Sequence, residues 1–338
     1  MALQKDVPSF KLIDDELQQV KELINEELAH CPQKSGTGQL VKSLGSRAGK
    51  MIRPGLVLLS YHVVRDASNG KPRRGCARNS QYEAIRIAAI VEMIHNAALL
   101  HDDVIDEGEK RRGQPTANSL WGNEFAVLLG DFLLSRVFKI CADLEPRFQR
   151  IISTVATRTC EGELRQILQR QKWDLSESEY IEIITEKTAA LFSGSCHLGA
   201  LLGGASERQV ERLNAFGLNA GIAFQITDDL LDIIGDEKRA GKTLGSDIGK
   251  NKLTLALIHL LKVVDEKEKG FVISRLNAGG GGKKALIEKL ISHGSIDYAC
   301  VRAKEFVEKA IVALAIFKQS IAKDALVEMA RFVERRVV

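Results

Sequence analysis

Two stretches of the chain hold the side chains best suited to chemistry. Leu99-Leu100-His101-Asp102-Asp103-Val104-Ile105-Asp106 and Gln225-Ile226-Thr227-Asp228-Asp229-Leu230-Leu231-Asp232 each embed an Asp-Asp-x-x-Asp set in an apolar run. On a helix, residues i and i+4 share a face about 6 Å apart in rise, while i+1 is turned away by about 100°. The spacing predicts that Asp102 and Asp106 converge on one spot and Asp228 and Asp232 on another, with Asp103 and Asp229 off to the side. Like charges at i, i+4 destabilise a helix by about 0.3 kcal/mol, and carboxylates in apolar surroundings cost more. A chain that carries this arrangement twice has a cation to bind. Carboxylates without cysteine suit hard Mg²⁺ rather than Zn²⁺, and Mg²⁺ is commonly shared between one or two carboxylates and substrate phosphates. A lone Asp pair would read as a solvated acidic helix face. Two identical sets beside Leu, Ile and Phe do not.

Diphosphate oxygens not bound to metal need cations, and small groups of them are present. Lys50 and Arg53 lie three apart, on one face if helical. Arg111 and Arg112 follow the first acidic set before a Gly113-Gln114-Pro115 break, and Lys187-Thr188 and Lys242 are further candidates. Arg donates to phosphate through its bidentate fork and Lys as a point charge. Singly, each reads as a surface charge; their fit to one pattern distinguishes them. His95 lies seven residues before Asp102, on the same face, where it is as consistent with a packed core histidine as with a ligand-binding one.

These residues need rigid elements to hold them, and nearly every segment reads at helical period. Asp15 to His30 carries Leu17, Val20, Leu23, Ile24 and Leu28 on one stripe. The pattern predicts further helices over Tyr82 to Asp106, Leu120 to Leu144, Arg150 to Gln171, Ser178 to Leu202, Glu207 to Ile234, Leu253 to Val264, Lys284 to His293 and Tyr298 to Arg336. Asp66 to Ser80 reads as a polar, basic loop. Gly279 to Gly282 reads as a helix connection, since no GK[ST] follows it and no strand precedes it. The expected fold is all-α, a single-domain helical bundle around a deep central cavity, with the two acidic faces opposed across its mouth.

The bulk numbers agree with that reading. With 45% hydrophobic residues, 338 residues can bury a sizeable core, and a net charge of +4 is too mild to imply nucleic acid. Six cysteines without a CxxC pair read as thiols in a reducing compartment. Met1 to Asp15 is acidic and lacks an apolar core, so no signal peptide is expected. Thr188 to Ser206 has no formal charge, but its Ser, His and Gly content with Gly199-x-x-x-Gly203 predicts a tightly packed soluble helix rather than a transmembrane span. The protein is expected to be cytoplasmic.

The sequence resembles the trans-isoprenyl diphosphate synthases, the all-trans polyprenyl diphosphate synthases of octaprenyl, heptaprenyl and solanesyl type. The matching signatures are Gly49-Lys50-x-x-Arg53-Pro54, His95 through Asp106 with Arg111-Arg112-Gly113, and Gly130-Asp131-Phe132-Leu133-Leu134. Gly162-Glu163, Lys187-Thr188, and Phe224-Gln225-x-x-Asp228-Asp229-x-x-Asp232 with Gly241-Lys242 complete them. They run in the family's order, with residues 1–338 as one polyprenyl synthase domain. The resemblance implies an allylic diphosphate, farnesyl or geranylgeranyl, held on about three Mg²⁺ ions between Asp102, Asp106 and Asp228. Arg111, Lys187 and Lys242 would hold its oxygens, and isopentenyl diphosphate would sit on Lys50, Arg53, His95 and Arg112. It further implies ionisation, condensation and elimination, with Thr188 and Gln225 stabilising the allylic cation, and a homodimer. Arg335-Arg336 would close over the site.

Product length follows from the helix that carries the first acidic set. A tail running back from Asp102 meets Ala98 and Ala97, where an aromatic stops growth at short products in the family, and then Ile94 and Val91. With one isoprene unit per turn of about 5.4 Å, the open wall predicts a product of roughly thirty to fifty carbons. A geranylgeranyl- or farnesyl-length synthase is the shorter alternative. A class I terpene synthase usually replaces the second Asp set, a regulatory subunit of a heteromeric synthase loses both, and a membrane prenyltransferase needs several spans.

Overall fold

Helix starts in this chain are marked by their caps. Ser176 and Ser206 each accept a backbone N–H three residues on, and Glu179 and Gln209 reach back, so two helices open with full capping boxes. Thr116 and Ser320 cap two more, and Pro146 occupies the first turn of another. The computed structural model describes residues 8–30, 50–67, 80–111, 113–170, 172–235, 249–277 and 283–336. The helices are α1 (Asp14–Ala29), α2 (Ile52–Ala67), α3 (Ser80–Ile105), α4 (Ala117–Trp121), α5 (Asn123–Cys141), α6 (Pro146–Leu168) and α7 (Glu177–Ile184). A one-turn π-helix (Thr185–Ala189) then leads into α8 (Ala190–Leu202) and α9 (Glu207–Ile234). The remainder are α10 (Leu255–Val263), α11 (Glu266–Asn277), α12 (Lys283–Ser292), α13 (Ser295–Ala313) and α14 (Ile321–Glu334).

The all-α expectation holds, with local corrections. The run Leu120 to Leu144 breaks at Gly122, whose φ of 88° only glycine adopts readily, giving α4 and α5. Ser178 to Leu202 is continuous but locally widened by the π-turn, and Tyr298 to Arg336 divides around residues 314–320 into α13 and α14. Two helices, α2 and α11, went unpredicted, as did a two-stranded antiparallel pair, β1 (Lys110–Arg111) with β2 (Gln114–Pro115). Gly49, Arg112, Gly241, Lys242, Gly279 to Gly282, Cys31, Cys76 and residues 68–79 of the expected Asp66 to Ser80 loop lie outside the described residues, while Asp66, Ala67 and Ser80 are helical. Cys141, Cys160, Cys196 and Cys300 are free.

Helix α8 occupies the centre, against α2, α3, α6 and α9. Its glycines permit that contact. A Cβ on Gly199 would lie 2.1 Å from the Val57 carbonyl oxygen, and one on Gly203 2.9 Å from that of Tyr61, so α8 meets α2 nearly backbone to backbone. The uncharged stretch is thus a buried core helix, as expected. Among the described residues the one helix long and apolar enough to cross a membrane is instead α3, and 67% of its apolar window is buried in the bundle. Helices α3 and α9 run so that both acidic sets lie at their C-terminal ends.

Candidate active site

The first acidic set is formed by the end of α3 and the turn beyond it. Asp102 and Asp103 are helical; Asp106 lies just past Ile105, its N–H still bonded to the Asp102 carbonyl at 2.8 Å. Gly108 N–H then bonds the Asp103 carbonyl, and the β1–β2 hairpin folds Arg111 back over the helix end. Arg111 donates to one Asp103 oxygen through Nε at 2.8 Å and a terminal nitrogen at 2.7 Å. Asp103 is therefore an anchor for Arg111, off to the side as the helical spacing predicts. Arg111 also feels the charges of Asp102 and Asp228, so it sits where the fields of the two acidic sets overlap.

Within the second set the carboxylates differ in exposure. Asp228 keeps a third of its side chain accessible, whereas Asp232 is fully buried. The two share a face of α9 at i, i+4, but only Asp228 is open to solvent. Asp229 is buried and holds the Gln225 amide at 2.7 Å and the Tyr180 hydroxyl at 2.6 Å. Among the described residues no three His, Cys, Asp or Glu side chains gather closely enough to hold a metal unaided. The open carboxylates are drawn to protein cations instead. Asp106 is met by Lys252 at 2.9 Å, Arg170 at 3.0 Å and Lys250 at 3.7 Å, and Asp228 by Arg336 at 2.9 Å.

These neighbours drive the carboxylates apart electrically. Burial pushes Asp102 up to about 6, a rise that Lys187 and Arg111 oppose and Glu163 and Asp106 reinforce. Burial also raises Asp106, but the charge and hydrogen bond of Lys252, with Lys250 and Lys187, outweigh it and hold this carboxyl below the ordinary range. At neutral pH both are ionised.

Lys187 and Thr188 lie in the π-turn, a geometry frequent at functional sites. Two glycines make room for it. A Cβ on Gly162 would stand 2.2 Å from Lys187 N, and one on Gly221 2.6 Å from Ala189 Cα. Lys187 pairs with Glu163 and donates to Gln166 at 2.8 Å. Thr188 Oγ1 donates to Gln225 Oε1 at 2.6 Å. Gly130 serves the first set similarly, since a Cβ there would meet the His101 ring at 2.3 Å.

Lys50 and Arg53 do not share a helical face, because α2 begins only at Ile52. Lys50 lies 5.0 Å from the centre of the Phe332 ring and Arg53 4.9 Å from that of Phe192. Phe192 packs on Phe224, which carries Arg336 at 4.5 Å. The Phe192–Phe224 pair thus carries two cations, Arg53 and Arg336. His95 is half-buried on the Asp102 stripe of α3. Ala98 retains accessible surface on that side, Ile94 is 6% exposed, and Ala97, about 140° round the helix from Asp102, is packed in the core. Arg112 and Lys242 lie outside the described residues.

Sequence reasoning missed Arg170, Lys250, Lys252 and Tyr180. Gly249-Lys250-Asn251-Lys252, a basic cluster soon after the second acidic set, was a readable signal for the lysines. Nothing in local spacing links Arg170 or Tyr180 to residues on other helices.

The profile of the polyprenyl synthetase family matches residues 36–292. The chain is 35% identical over 329 residues to the octaprenyl diphosphate synthase of Haemophilus influenzae, covering 95% of this chain and 94% of that one. It is also 35% identical over 297 residues to the short chain isoprenyl diphosphate synthase of Methanothermobacter thermautotrophicus, covering 85% and 86%. Its structure superposes on the crystal structure of a polyprenyl synthase from Caulobacter crescentus complexed with calcium and isoprenyl diphosphate. That match has a TM-score of 0.87 and 29% identity, with 98% and 97% covered.

Proposed function

The chain belongs to the polyprenyl synthetase family and is a prenyltransferase acting on isoprenyl diphosphates, and from that premise we propose a Mg²⁺-dependent synthase of long-chain all-trans polyprenyl diphosphates. The whole chain acts as one catalytic domain. Isopentenyl diphosphate adds to an allylic primer, farnesyl or geranylgeranyl diphosphate. The single observation that carries this reading is the pair of carboxylate sites, Asp102 with Asp106 and Asp228, with Asp102 and Asp228 both acting on Arg111 and with protein cations at Asp106 and Asp228.

The donors fit Mg²⁺: all are carboxylates, with too few at either site to encage an ion, which suits a metal that keeps waters and takes phosphate oxygens. Asp102, Asp106 and Asp228 would hold it. When bound, Mg²⁺ withdraws charge from the leaving diphosphate. Lys187, Arg111 and Lys242 bind that diphosphate's remaining oxygens, and Lys250 and Lys252 stand ready beside Asp106 to do the same. Lys50, Arg53, His95 and Arg112 bind isopentenyl diphosphate.

Heterolysis of the allylic C–O bond leaves an allylic cation and diphosphate. The isopentenyl double bond attacks the cation's C1, and the proton lost from C2 passes to a diphosphate oxygen. Thr188 and Gln225 turn oxygen lone pairs towards the cation. The tail grows down α3 past Ala98 and Ile94, with no aromatic side chain on that stripe of the wall, giving roughly thirty to fifty carbons at one unit per helical turn. Leu128 and Phe138 on α5, and Leu164 and Leu168 on α6, are more than 60% exposed and support a homodimer.

The test is Mg²⁺-dependent incorporation of isopentenyl diphosphate onto farnesyl diphosphate, with mass analysis of the product. A ladder ending at one long polyprenyl diphosphate is expected. A product of twenty carbons or fewer would refute the long chain, and a cyclic hydrocarbon made without isopentenyl diphosphate would refute the reading altogether.

A further inference from the structure

Asp229 adjoins Asp228 in sequence, yet both its oxygens are engaged by protein donors. Tyr180 donates from its hydroxyl to Oδ2 at 2.6 Å, and Gln225 Nε2 donates to Oδ1 at 2.7 Å. At its other end Gln225 accepts the Thr188 hydroxyl proton on Oε1 at 2.6 Å. The chain Tyr180–Asp229–Gln225–Thr188 therefore links α7, α9 and the π-turn through three short bonds. Tyr180 is 2% exposed and Asp229 9%, so water does not substitute readily for either partner.

The direction of each bond follows from donor chemistry. Both Asp229 oxygens accept, so it is the –NH₂ end of the Gln225 amide that faces Asp229, and Oε1 turns the other way. The single Thr188 proton then goes to Oε1, which leaves the Thr188 lone pairs free to face elsewhere. We propose that Tyr180 is a positioning residue: by pinning Asp229 it fixes which end of the Gln225 amide faces the reacting carbons, and so holds Gln225 Oε1 and Thr188 Oγ1 as an oxygen pair beside the allylic cation. This rests on the proposed function. Without the phenol, the Asp229 carboxylate loses the short bond to Oδ2 and is held less tightly in its broad terminal torsion. The amide then loses its fixed acceptor, and a reversed amide presents positive N–H groups to a positive centre.

Removing one preorganised dipole from a water-excluded site slows a reaction by about 10² to 10³. Tyr180 acts at one remove, so Tyr180→Phe, which keeps the ring, is expected to lower kcat about tenfold. KM for isopentenyl and farnesyl diphosphates should stay within about twofold, because ground-state binding uses other residues. Gln225→Leu alone is expected to lower kcat about a hundredfold. In that background Tyr180→Phe should cost nothing further, since effects transmitted through one residue are not additive. An equal loss in both backgrounds, a raised KM with kcat preserved, or wild-type kcat in Tyr180→Phe would overturn the proposal. If thermal melts show Tyr180→Phe unfolded at the assay temperature, Asp229→Asn takes its place in the same cycle, with the same expectations. Wild-type kcat in Gln225→Leu overturns the role given to Gln225 as well, whereas an inert Tyr180→Phe beside an impaired Gln225→Leu overturns only the positioning.

Discussion

Gly162→Ala sets two physical effects against each other. Glycine within a helix costs about 1 kcal/mol relative to alanine, so helix propensity alone predicts that the substitution stabilises α6. The packing says otherwise. A Cβ at position 162 would lie 2.2 Å from Lys187 N, 2.6 Å from Lys187 Cα and 2.8 Å from Glu186 C, all of them backbone atoms. Ordinary contact begins at 3.4 Å, so α6 and the π-turn must separate by about 1.2 Å, and close-packed interiors resist such a shift. Overpacking of this kind costs about 1–3 kcal/mol. Net of the propensity gain, destabilisation of up to about 2 kcal/mol remains. Activity should fall further than stability, because the displaced segment carries Lys187 and Thr188, and a 1 Å misplacement can cost about 10²-fold in rate. The assay pairs a denaturant titration with steady-state incorporation of isopentenyl diphosphate. A variant that is more stable than the parent and retains its kcat would refute the reasoning.

Ala98→Phe should shorten the product, read by mass analysis, and an unchanged length would show that the stripe of α3 below Asp102 does not limit growth. Because burial holds Asp102 up near 6, a proton competes with the ion there. Mg²⁺ affinity by calorimetry should weaken as pH falls through about 6, with up to one proton released per bound ion in that range; affinity unchanged between pH 5 and 8 would refute this. Leu168→Glu places a charge on a side chain that is 73% exposed, so it should leave the monomer's fold intact. Light scattering should then report dissociation of the homodimer, and an undisturbed dimer would exclude this face.

The helices were legible because their apolar stripes and caps are local. The run Glu207 to Ile234 matches α9 at both ends, since Ser206 and Gln209 form a capping box at its start and Gly235 follows its last turn. Misreadings arose where one residue's backbone overrides a stripe. Gly122 breaks α4 from α5, while the apolar residues on either side continue the pattern. The π-turn was invisible for the opposite reason. It leaves the hydrophobic run unbroken, and its cause lies on other helices, where Gly162 and Gly221 admit its backbone.

The sequence by itself determined the chemistry: two Asp-Asp-x-x-Asp sets in apolar helices call for a hard cation, and the lysines and arginines near them call for diphosphate. Helical periodicity also predicted that Asp103 and Asp229 turn aside from their neighbours. Only the tertiary structure decided what each carboxylate meets. Asp106 faces Lys252 and Arg170, Asp228 faces Arg336, Asp232 is buried, and Asp229 is tied to Tyr180. Those partners lie on α7, just past the ends of α6 and α14, and on the segment before α10, far away in sequence. Hydrogen bonds and ion pairs act over about 3 Å, so spacing along the chain carries no record of which distant side chains packing will bring within reach.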